Sequence, residues 1–412
     1  MMRLMRPLTL VAIAWILVTI ACSRPAAPPM VPAVTLPTPK VTLLESPAGA
    51  GSMAPWLAGD TNGRALLSWL EPTGNGWHAL RLSAWDGSAW AEATTITEGA
   101  DVLANWADTP TVHAPGGDRL VASWPALQGA DSDGYDLRVA TSADRGATWS
   151  APFTPHRDAT ATEHDFPSLF ATGSGGLGVA WLDGRAHASG DGTAEQALMV
   201  TFVDENGTIG PETVIDPRTC ECCPTSAART DDSVLIAYRD RSADEVRDIA
   251  LVRWDGAAWS APRVVHVDGW KVAGCPVNGP SLSADGRHVA LAWFTAPEGG
   301  PRVSVAFSGD GGQTFGAPVR VDEGQPLGRV EVEWQDDGTA LVAWLEREGE
   351  AATFRVRTAT AEGSLGDSAT VAHVEAGRTS GFPRLTRTEK GVLAAWTVKD
   401  GETTRVRLAL LR

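Results

Sequence analysis

One aromatic residue recurs along this 412-residue chain inside short apolar runs, at intervals of 51 to 57 residues. The seven positions are Trp69, Trp124, Trp181, Tyr238, Trp293, Trp344 and Trp396. A period of this size is typical of proteins that stack one structural unit many times, either in a row or around an axis. The recurring aromatic therefore predicts a repeat architecture in which every unit presents the same core position.

A proline stands 13 or 14 residues before the aromatic in six of the seven repeats. The prolines are Pro55, Pro110, Pro167, Pro224, Pro280 and Pro383, and the sixth repeat has Val330 and Glu331 there instead. Proline is tolerated at the first position of a strand. We therefore expect each proline to open a strand and each aromatic to lie in the next one. Two further strands follow in each repeat, and four antiparallel strands repeated around an axis make a β-propeller.

The last repeat, which runs from Phe382 to Arg412, contains only three predicted strands. Residues 41–46 (VTLLES) precede the first proline-marked strand and have no other partner in the pattern. We expect this N-terminal strand to complete the C-terminal blade. The sequence thus predicts an all-β, seven-bladed propeller over residues 41–412, with the ring closed by the N-terminal strand.

A short turn motif between the third and fourth strands carries a family resemblance. Residues 142–149 (SADRGATW) and 308–315 (SGDGGQTF) both fit S-x-D-x-G-x-T-[WF], and residues 85–90 and 254–259 are degenerate copies. The pattern resembles the Asp box of bacterial sialidase repeats, also called BNR repeats. In such a turn the aspartate bonds back to nearby amides and the glycine takes a positive φ. The resemblance implies a sialidase-like propeller, and the six blades of sialidases make a six-bladed ring the alternative.

The first 40 residues are predicted to lie outside the fold. Arg3 and Arg6 precede an apolar run over residues 8–21, which is too short for a membrane span and has the features of a secretory signal. Residues 19–22 (TIAC) resemble a bacterial lipobox, which implies lipidation of Cys22. A proline-rich tether follows over residues 22–40. We expect an exported protein anchored by lipid to the cell envelope, with the outer membrane favoured; the alternative is an ordinary cleaved signal with an incidental Cys22.

Composition narrows the range of partners. The formal net charge is -16, and an acidic surface repels phosphate backbones and anionic headgroups. We therefore expect no nucleic-acid partner and membrane contact through the lipid anchor only. The chain has no glycine-rich phosphate loop and no nucleophile elbow. We expect no cofactor, and we expect a monomer.

Four cysteines remain once Cys22 is assigned to lipid. An even number in an oxidising compartment predicts disulfides. Pairing Cys220 with Cys223 and Cys222 with Cys275 strains the bridge geometry least. The alternative is a thiolate site for copper or zinc that also uses His164.

Candidate ligand-binding residues follow from the propeller register. The loop before the first strand of each blade and the loop after its second strand share one face of the ring, which we call the axial face. Polar residues on these loops are densest in blades 3 to 5, and a guanidinium group matches a carboxylate in bidentate fashion. The candidates are His164, Arg185, Arg239, Asp240, Arg241, Arg247 and Arg329. The alternative for residues 238–248 is a salt-bridged loop that holds itself in place.

The resemblance to sialidases implies an arginine triad, an acid and a tyrosine nucleophile paired with glutamate. The matching catalytic candidates are Tyr135, Glu163 and Asp183. The arginine-containing motif that precedes the first Asp box in sialidases is replaced here by residues 52–56 (SMAPW). The sequence therefore favours a propeller that binds an acidic or polar, glycan-derived ligand on the axial face of blades 3 to 5. The alternatives are an exo-α-sialidase-type glycoside hydrolase and a structural or metal-handling module that uses the cysteine-rich loops.

Overall fold

The structure is a computed structural model that describes residues 36–60, 63–129, 134–173, 175–190 and 195–412. The predicted signal segment, Cys22 and all but the last five residues of the predicted tether lie outside the described residues. Among the residues described, no helix is long and apolar enough to cross a membrane.

Twenty-seven strands in the described residues form seven antiparallel sheets. Blades 1 to 3 consist of β2 (Met53–Gly59), β3 (Ala65–Pro72), β4 (His78–Trp85) and β5 (Thr94–Gly99); β6 (Thr111–Gly116), β7 (Arg119–Leu127) and β8 (Tyr135–Ser142); and β9 (His164–Ala171), β10 (Leu177–Asp183), β11 (Ala197–Val203) and β12 (Thr213–Asp216). Blades 4 and 5 consist of β13 (Ser226–Arg229), β14 (Val234–Arg239), β15 (Ile249–Trp254) and β16 (Arg263–Val264); and β17 (Ser281–Asp285), β18 (His288–Thr295), β19 (Arg302–Ser308) and β20 (Val319–Arg320). Blades 6 and 7 consist of β21 (Pro326–Trp334), β22 (Ala340–Glu348), β23 (Ala351–Ala359) and β24 (Ala369–Glu375); and β25 (Arg384–Thr388), β26 (Gly391–Asp400), β27 (Thr403–Leu411) and β1 (Val41–Leu44). Two short 3-10 helices cover Arg185–Ser189 and Arg378–Ser380.

The predicted seven-bladed ring and its closure are confirmed. The N-terminal strand β1 pairs antiparallel with β27, from Val41 opposite Leu411 to Leu44 opposite Leu408. Six blades have four strands; in blade 2 the fourth position is taken by a single backbone pair between Val139 and Phe153. The six-bladed alternative is wrong for this chain.

The recurring aromatic lies in the second strand of every blade and is buried in each. Burying an indole leaves its N–H in need of an acceptor. In blades 1, 3 and 6 the acid two residues further along the strand supplies it, with Trp181 donating to Asp183 at 2.7 Å and Trp344 donating to Glu346 at 2.6 Å. These acids are therefore part of the framework that holds the aromatic in place.

The two full turn motifs adopt the same hydrogen-bonded geometry. The Asp144 carboxylate accepts from the Thr148 hydroxyl at 2.6 Å and from the Thr148 amide at 2.9 Å. These bonds, the hydroxyl bond first, hold the pKa of Asp144 at about 2. Asp310 makes the same bonds to Thr314 at 2.6 and 2.9 Å. The geometry is that of a folding device, and membership of the Asp-box repeats stays a resemblance.

Three innermost strands bend through β-bulges where they reach the axial face. The bulges contain Ala54, Phe166 and Arg329, whose φ values are 52°, 48° and 53°. Non-glycine residues in the left-handed region store about 1 to 3 kcal/mol of strain and cluster at functional sites. The bulges change the direction of side chains at the mouth of the ring, so that this end of the axis is a candidate functional site.

Candidate ligand site at the axial face

The cysteine-rich loops brace blades 4 and 5. Cys220 is bonded to Cys223 and Cys222 to Cys275, with Cα separations of 5.6 and 5.9 Å, which is the connectivity that the sequence favours. Cys220, Cys222 and Cys223 lie close enough together to share a metal ion. Because all four sulfurs are bonded in disulfides, this arrangement presents no thiolate to a metal.

Arg239 is an internal brace of the ring. Its guanidinium donates to three backbone carbonyls, those of Asn278, Arg247 and Phe294, at 2.6 to 2.7 Å. The side chain is fully buried over the Trp270 ring, and burial lowers its pKa to about 9. With its donors committed to carbonyls on two blades, Arg239 does not face a ligand.

Arg241 and Arg247, on the axial loop of blade 4, are neutralised by two glutamates. Arg247 bonds Glu221 at 2.9 Å and Glu245 at 3.0 Å, and Arg241 bonds the same two glutamates. Asp240 accepts from the amide of Arg241, and burial raises the pKa of its carboxyl to about 6. The cluster therefore matches the self-braced loop considered as an alternative, and its arginines already have carboxylate partners.

Asp183, Arg185 and His164 form a second internal network, in blade 3. The buried Asp183 carboxylate accepts from Trp181 and, at 2.6 Å, from Arg185 Nε. His164 lies 3.1 Å from Asp158 through Nε2 and 3.2 Å from the Tyr135 carbonyl through Nδ1. Asp158, His164 and Asp183 have the spacing of metal ligands, yet Arg185 Nη2 lies 2.6 Å from Asp183 and 3.4 Å from Asp158. The guanidinium thus fills the position that a cation would take.

Tyr135 lies in a cluster of acidic side chains, which we call the acid cluster (Asp108, Tyr135, Glu163 and Asp165). The Tyr135 hydroxyl donates to Asp165 at 3.2 Å, and its backbone forms a bridge with the exposed Glu163. Asp108 accepts from the Phe166 amide at 3.0 Å through one oxygen; the other is buried and accepts from no group within the described ranges. No lysine or arginine of the described chain pairs with Asp108 or Asp165.

Burial raises the pKa values of both aspartates in the acid cluster. It raises the pKa of Asp108 to about 7, and burial together with the neighbouring carboxylates raises the pKa of Asp165 well above its usual value. Burial and the Asp165 charge also raise the pKa of the Tyr135 phenol. Neutral carboxyl groups at pH 7 can donate protons or hydrogen bonds, which is the property that glycosidases require of a general acid.

A buried arginine, Arg329, lies beside the loop that carries Asp108. We call its surroundings the axial mouth (Trp106, Arg329, Arg378 and Phe382). Arg329 is 8% exposed, and its Nη1 donates to the Gly381 carbonyl at 3.1 Å. Its guanidinium carbon lies 4.9 Å from the centre of the half-buried Trp106 ring, which stacks on Phe382 at 6.1 Å. Arg378 approaches the same indole at 5.8 Å. No carboxylate in the described residues pairs with Arg329, and burial lowers its pKa to about 10.

The axial mouth and the acid cluster adjoin each other. Trp106 and Asp108 lie on one loop, and Ala107, Phe166 and Phe382 share a hydrophobic cluster. Of the residues predicted from sequence, the structure brings Tyr135 and Glu163 together, and no anionic group in the part of the chain that it describes pairs with Arg329. Asp108, Asp165 and Arg378 were not predicted. A signal existed for the first two, because each stands two residues before a marker proline, Pro110 or Pro167.

Comparison with known proteins supports the fold. No protein-family model matches the chain, and no curated protein matches it. The BP39L lectin from Burkholderia pseudomallei is 12% identical and aligns over 88% of this chain and 100% of its own, with a TM-score of 0.58. An ulvan lyase bound to -[GlcA(1-4)Rha3S]- is 12% identical over 90% of this chain and 98% of its own, with a TM-score of 0.57. The NanB sialidase from Streptococcus pneumoniae is 10% identical over 84% and 83%, with a TM-score of 0.47, too low to support an argument.

These neighbours are glycan-binding or glycan-processing propellers. At 12% identity the similarity to the lectin and to the lyase establishes a shared fold only. What the site binds has to be argued from its own residues.

Proposed function

We propose that this chain is an exported, lipid-anchored protein of the bacterial cell envelope whose propeller binds an acidic, glycan-derived ligand at the axial mouth. The proposal retains the axial face predicted from sequence. The ligand is now placed at the loops of blades 2, 3, 6 and 7 and not at blades 3 to 5. The reason is that the arginines on the axial loop of blade 4 are already paired with glutamates or carbonyls.

The observation that carries the proposal is the buried charge of Arg329. A guanidinium that is 8% exposed and lacks a carboxylate partner in the described chain is unfavourable in the empty protein. A ligand carboxylate would supply the missing anion through charge-assisted hydrogen bonds, each of which contributes about 1.5 to 3 kcal/mol. Arg378 adds a second guanidinium beside the same indole.

The neighbouring groups suit a sugar ring that carries this carboxylate. The half-buried Trp106 offers a flat aromatic face held in place by Phe382. Glu163, the exposed member of the adjoining acid cluster, can pair with sugar hydroxyls. Acidic sugars such as uronates and sialic acids combine these features.

A glycan array that carries matched acidic and neutral glycans tests the proposal. We expect the wild-type propeller to bind glycans that contain uronate or sialic acid, and we expect Arg329→Ala to weaken this binding at least tenfold. Arg241→Ala is the matched control, since Arg241 lies on the same face but is paired with Glu221 and Glu245. Equal loss in both variants, or acidic glycans bound no better than neutral ones, would contradict the proposal.

A second candidate function, glycoside hydrolysis of the exo-sialidase type, is favoured by the acid cluster. The Tyr135 hydroxyl bonds Asp165, and Glu163 lies beside it on the neighbouring backbone. Retaining hydrolysis needs a nucleophile and a residue that first donates and then accepts a proton. Burial raises the pKa of Asp108 to about 7 and also raises that of Asp165, which favours the protonated form that a general acid needs.

Turnover of fluorogenic sialosides and uronides tests this candidate. We expect Tyr135→Phe and Asp165→Asn to abolish any release of fluorophore, while Asp183→Asn, which alters a framework carboxylate, should lower stability and leave residual activity. Absence of turnover with every sialoside and uronide would remove hydrolysis and leave binding as the function.

Lipid anchoring is tested separately in the bacterium that makes the protein. We expect the full-length chain to incorporate a palmitate analogue and to fractionate with membranes, and we expect Cys22→Ser to do neither. Incorporation that survives this substitution would contradict anchoring through Cys22.

A further inference from the structure

The face opposite the axial mouth carries a cleft between blades 3 and 4. This face is formed by the turns that join the first to the second strand and the third to the fourth strand of each blade. Its residues take no part in the site described above. At this cleft the turn between the third and fourth strands of blade 4 does not pack on blade 3.

The glycines of the third-to-fourth-strand turns show where the gaps between blades are filled. In blades 1, 2, 5 and 6 a Cβ added to the turn glycine would lie within 4 Å of a side chain on the preceding blade; the glycine and neighbour pairs are Gly87 with Lys390, Gly146 with Leu82, Gly312 with Leu235 and Gly363 with Val319. The corresponding glycines of blades 3 and 4, Gly207 and Gly256, face open space. By the same pattern, the turn of blade 4 does not pack on blade 3 across the cleft, and the turn of blade 3 does not pack on blade 2.

Two cavities of about 340 and 390 Å³ occupy this space. The first is lined by Arg229, Asp231 and Asp232, and the second by Phe202 and the turn of blade 3. Trp254 and Gly256 line both cavities, so that the indole lies between the two. Each volume lies in the range of about 300 to 1,000 Å³ that is usual for small-molecule sites.

Two neighbouring aromatic rings hold Trp254 in its orientation between the cavities. Its ring lies 4.9 Å from that of Phe202 and 6.4 Å from that of Trp259, yet the side chain remains half-buried. Blade 1 has a closely similar turn, WDGSAW in place of WDGAAW, and there Trp85 is 4% exposed beneath a turn that packs on Lys390. Two turns that differ at one residue thus bury the tryptophan in blade 1 and leave it half-buried in blade 4.

Unpaired polar groups lie near the half-buried Trp254 ring. Arg229 is exposed and donates to the Ala171 carbonyl at 3.1 Å, and no carboxylate of the described chain pairs with it. The exposed Asp231 carboxylate accepts from no group among the residues described. A cation and an anion with free hydrogen-bonding capacity therefore border the same cavity.

We propose that this cleft is a second binding site, specific for a neutral oligosaccharide that lies across Trp254. The flat ring stacks against one sugar unit, and the cavities on its two sides accommodate consecutive units. Hydroxyl groups both donate and accept, so that they satisfy Asp231 and Arg229 together, whereas a charged ligand would be repelled by one of the two. The site is independent of the proposed axial mouth.

An array of neutral oligosaccharides, probed with the full mature chain, tests the second site. We expect the wild type to bind a subset of these glycans, and we expect Trp254→Ala and Arg229→Ala each to weaken that binding about tenfold or more. Trp77→Ala, which removes a tryptophan that is 41% exposed on the axial face, is the matched control and should leave it unchanged. Arg229→Ala removes an exposed side chain, so that its effect does not depend on packing.

The outcomes separate this site from the axial mouth. Loss of acidic-glycan binding in Arg329→Ala with neutral binding intact supports two sites. The second site is overturned if the wild type binds no neutral oligosaccharide, if Trp254→Ala and Arg229→Ala both bind as the wild type does, or if Arg329→Ala removes neutral binding as well. The first of these results would leave the acidic-glycan proposal untouched.

Discussion

Glu331 and Glu333 line a cavity of about 180 Å³ on the axis of the propeller. Glu331 lies 3.3 Å from Arg384, whereas Glu333 has the Ser283 hydroxyl, at 3.3 Å, as its hydrogen-bonding partner. Burial raises the pKa of Glu331 to about 7, and burial together with the Glu331 charge raises that of Glu333 to about 8. The folded protein therefore holds protons on these side chains that the unfolded chain, with pKa values near 4.5, releases.

This difference makes the propeller less stable as the pH rises. Where the folded state binds more protons than the unfolded state, the free energy of unfolding falls with increasing pH. The stabilisation that follows from the raised pKa of Glu333 is fully present below about pH 4.5. It decreases as the pH rises from about 4.5 to 8, and no further loss occurs above pH 8. One pKa unit corresponds to about 1.4 kcal/mol. Allowing for water in the cavity and for the shared repulsion with Glu331, we expect a loss of about 3 kcal/mol.

Glu333→Gln removes the titrating group and keeps the shape of the side chain. We expect the variant to exceed the wild type by about 3 kcal/mol in free energy of unfolding at pH 9, or about 4 °C in Tm, and to differ little at pH 4.5. Thermal and urea unfolding at both pH values measure this, with Glu362→Gln, an exposed glutamate, as control. A gain that is equal at the two pH values, or a loss at pH 9, would refute the reasoning.

Three further predictions concern the framework. Cys222→Ser with Cys275→Ser opens a bridge of sequence separation 53 and should lower the free energy of unfolding by about 2 to 4 kcal/mol, while the oxidised wild-type propeller should show no free thiol among its four bonded cysteines in a thiol assay. Deletion of residues 1–44 removes β1 and leaves β27 with an open edge; we expect a loss of about 3 kcal/mol in urea unfolding, and equal stability would contradict closure through β1. Asp183→Ala leaves Trp181 and Arg185 without their acceptor and should cost about 3 kcal/mol in thermal unfolding, with acidic-glycan binding unchanged; lost binding in a folded variant would place Asp183 in the ligand site.

The fold could be predicted from sequence because its determinants are local and repeated seven times. A proline that opens a strand and an aromatic in the next strand, such as Pro167 and Trp181, fix the register of each blade. The last blade had only three predicted strands, and the strand at Val41–Leu44 had no other place in the pattern. Closure of the ring therefore followed from counting strands. The missing fourth strand of blade 2 was not predicted, because one backbone pair at Phe153 leaves no distinct sequence pattern.

The sequence predicts which loops share the axial face, but it does not predict which of their charged side chains are already paired. The ligand site was predicted on the loops of blades 3 to 5 because polar residues are densest there. In the structure, however, Arg241 and Arg247 are paired with Glu221 and Glu245. Whether a charged side chain is paired depends on loop conformation, which residue types alone do not determine. Arg329 is distinguished only by the structure, in which no carboxylate of the described ranges pairs with it.

Binding of an acidic oligosaccharide and of its methyl ester, compared by calorimetry, tests the central claim most directly. The two ligands differ only in the charge that Arg329 is proposed to receive. We predict that the wild type binds the acid at least tenfold more tightly than the ester and that Arg329→Ala binds the two alike. Equal affinity of the wild-type protein for acid and ester would contradict recognition of a carboxylate at the axial mouth.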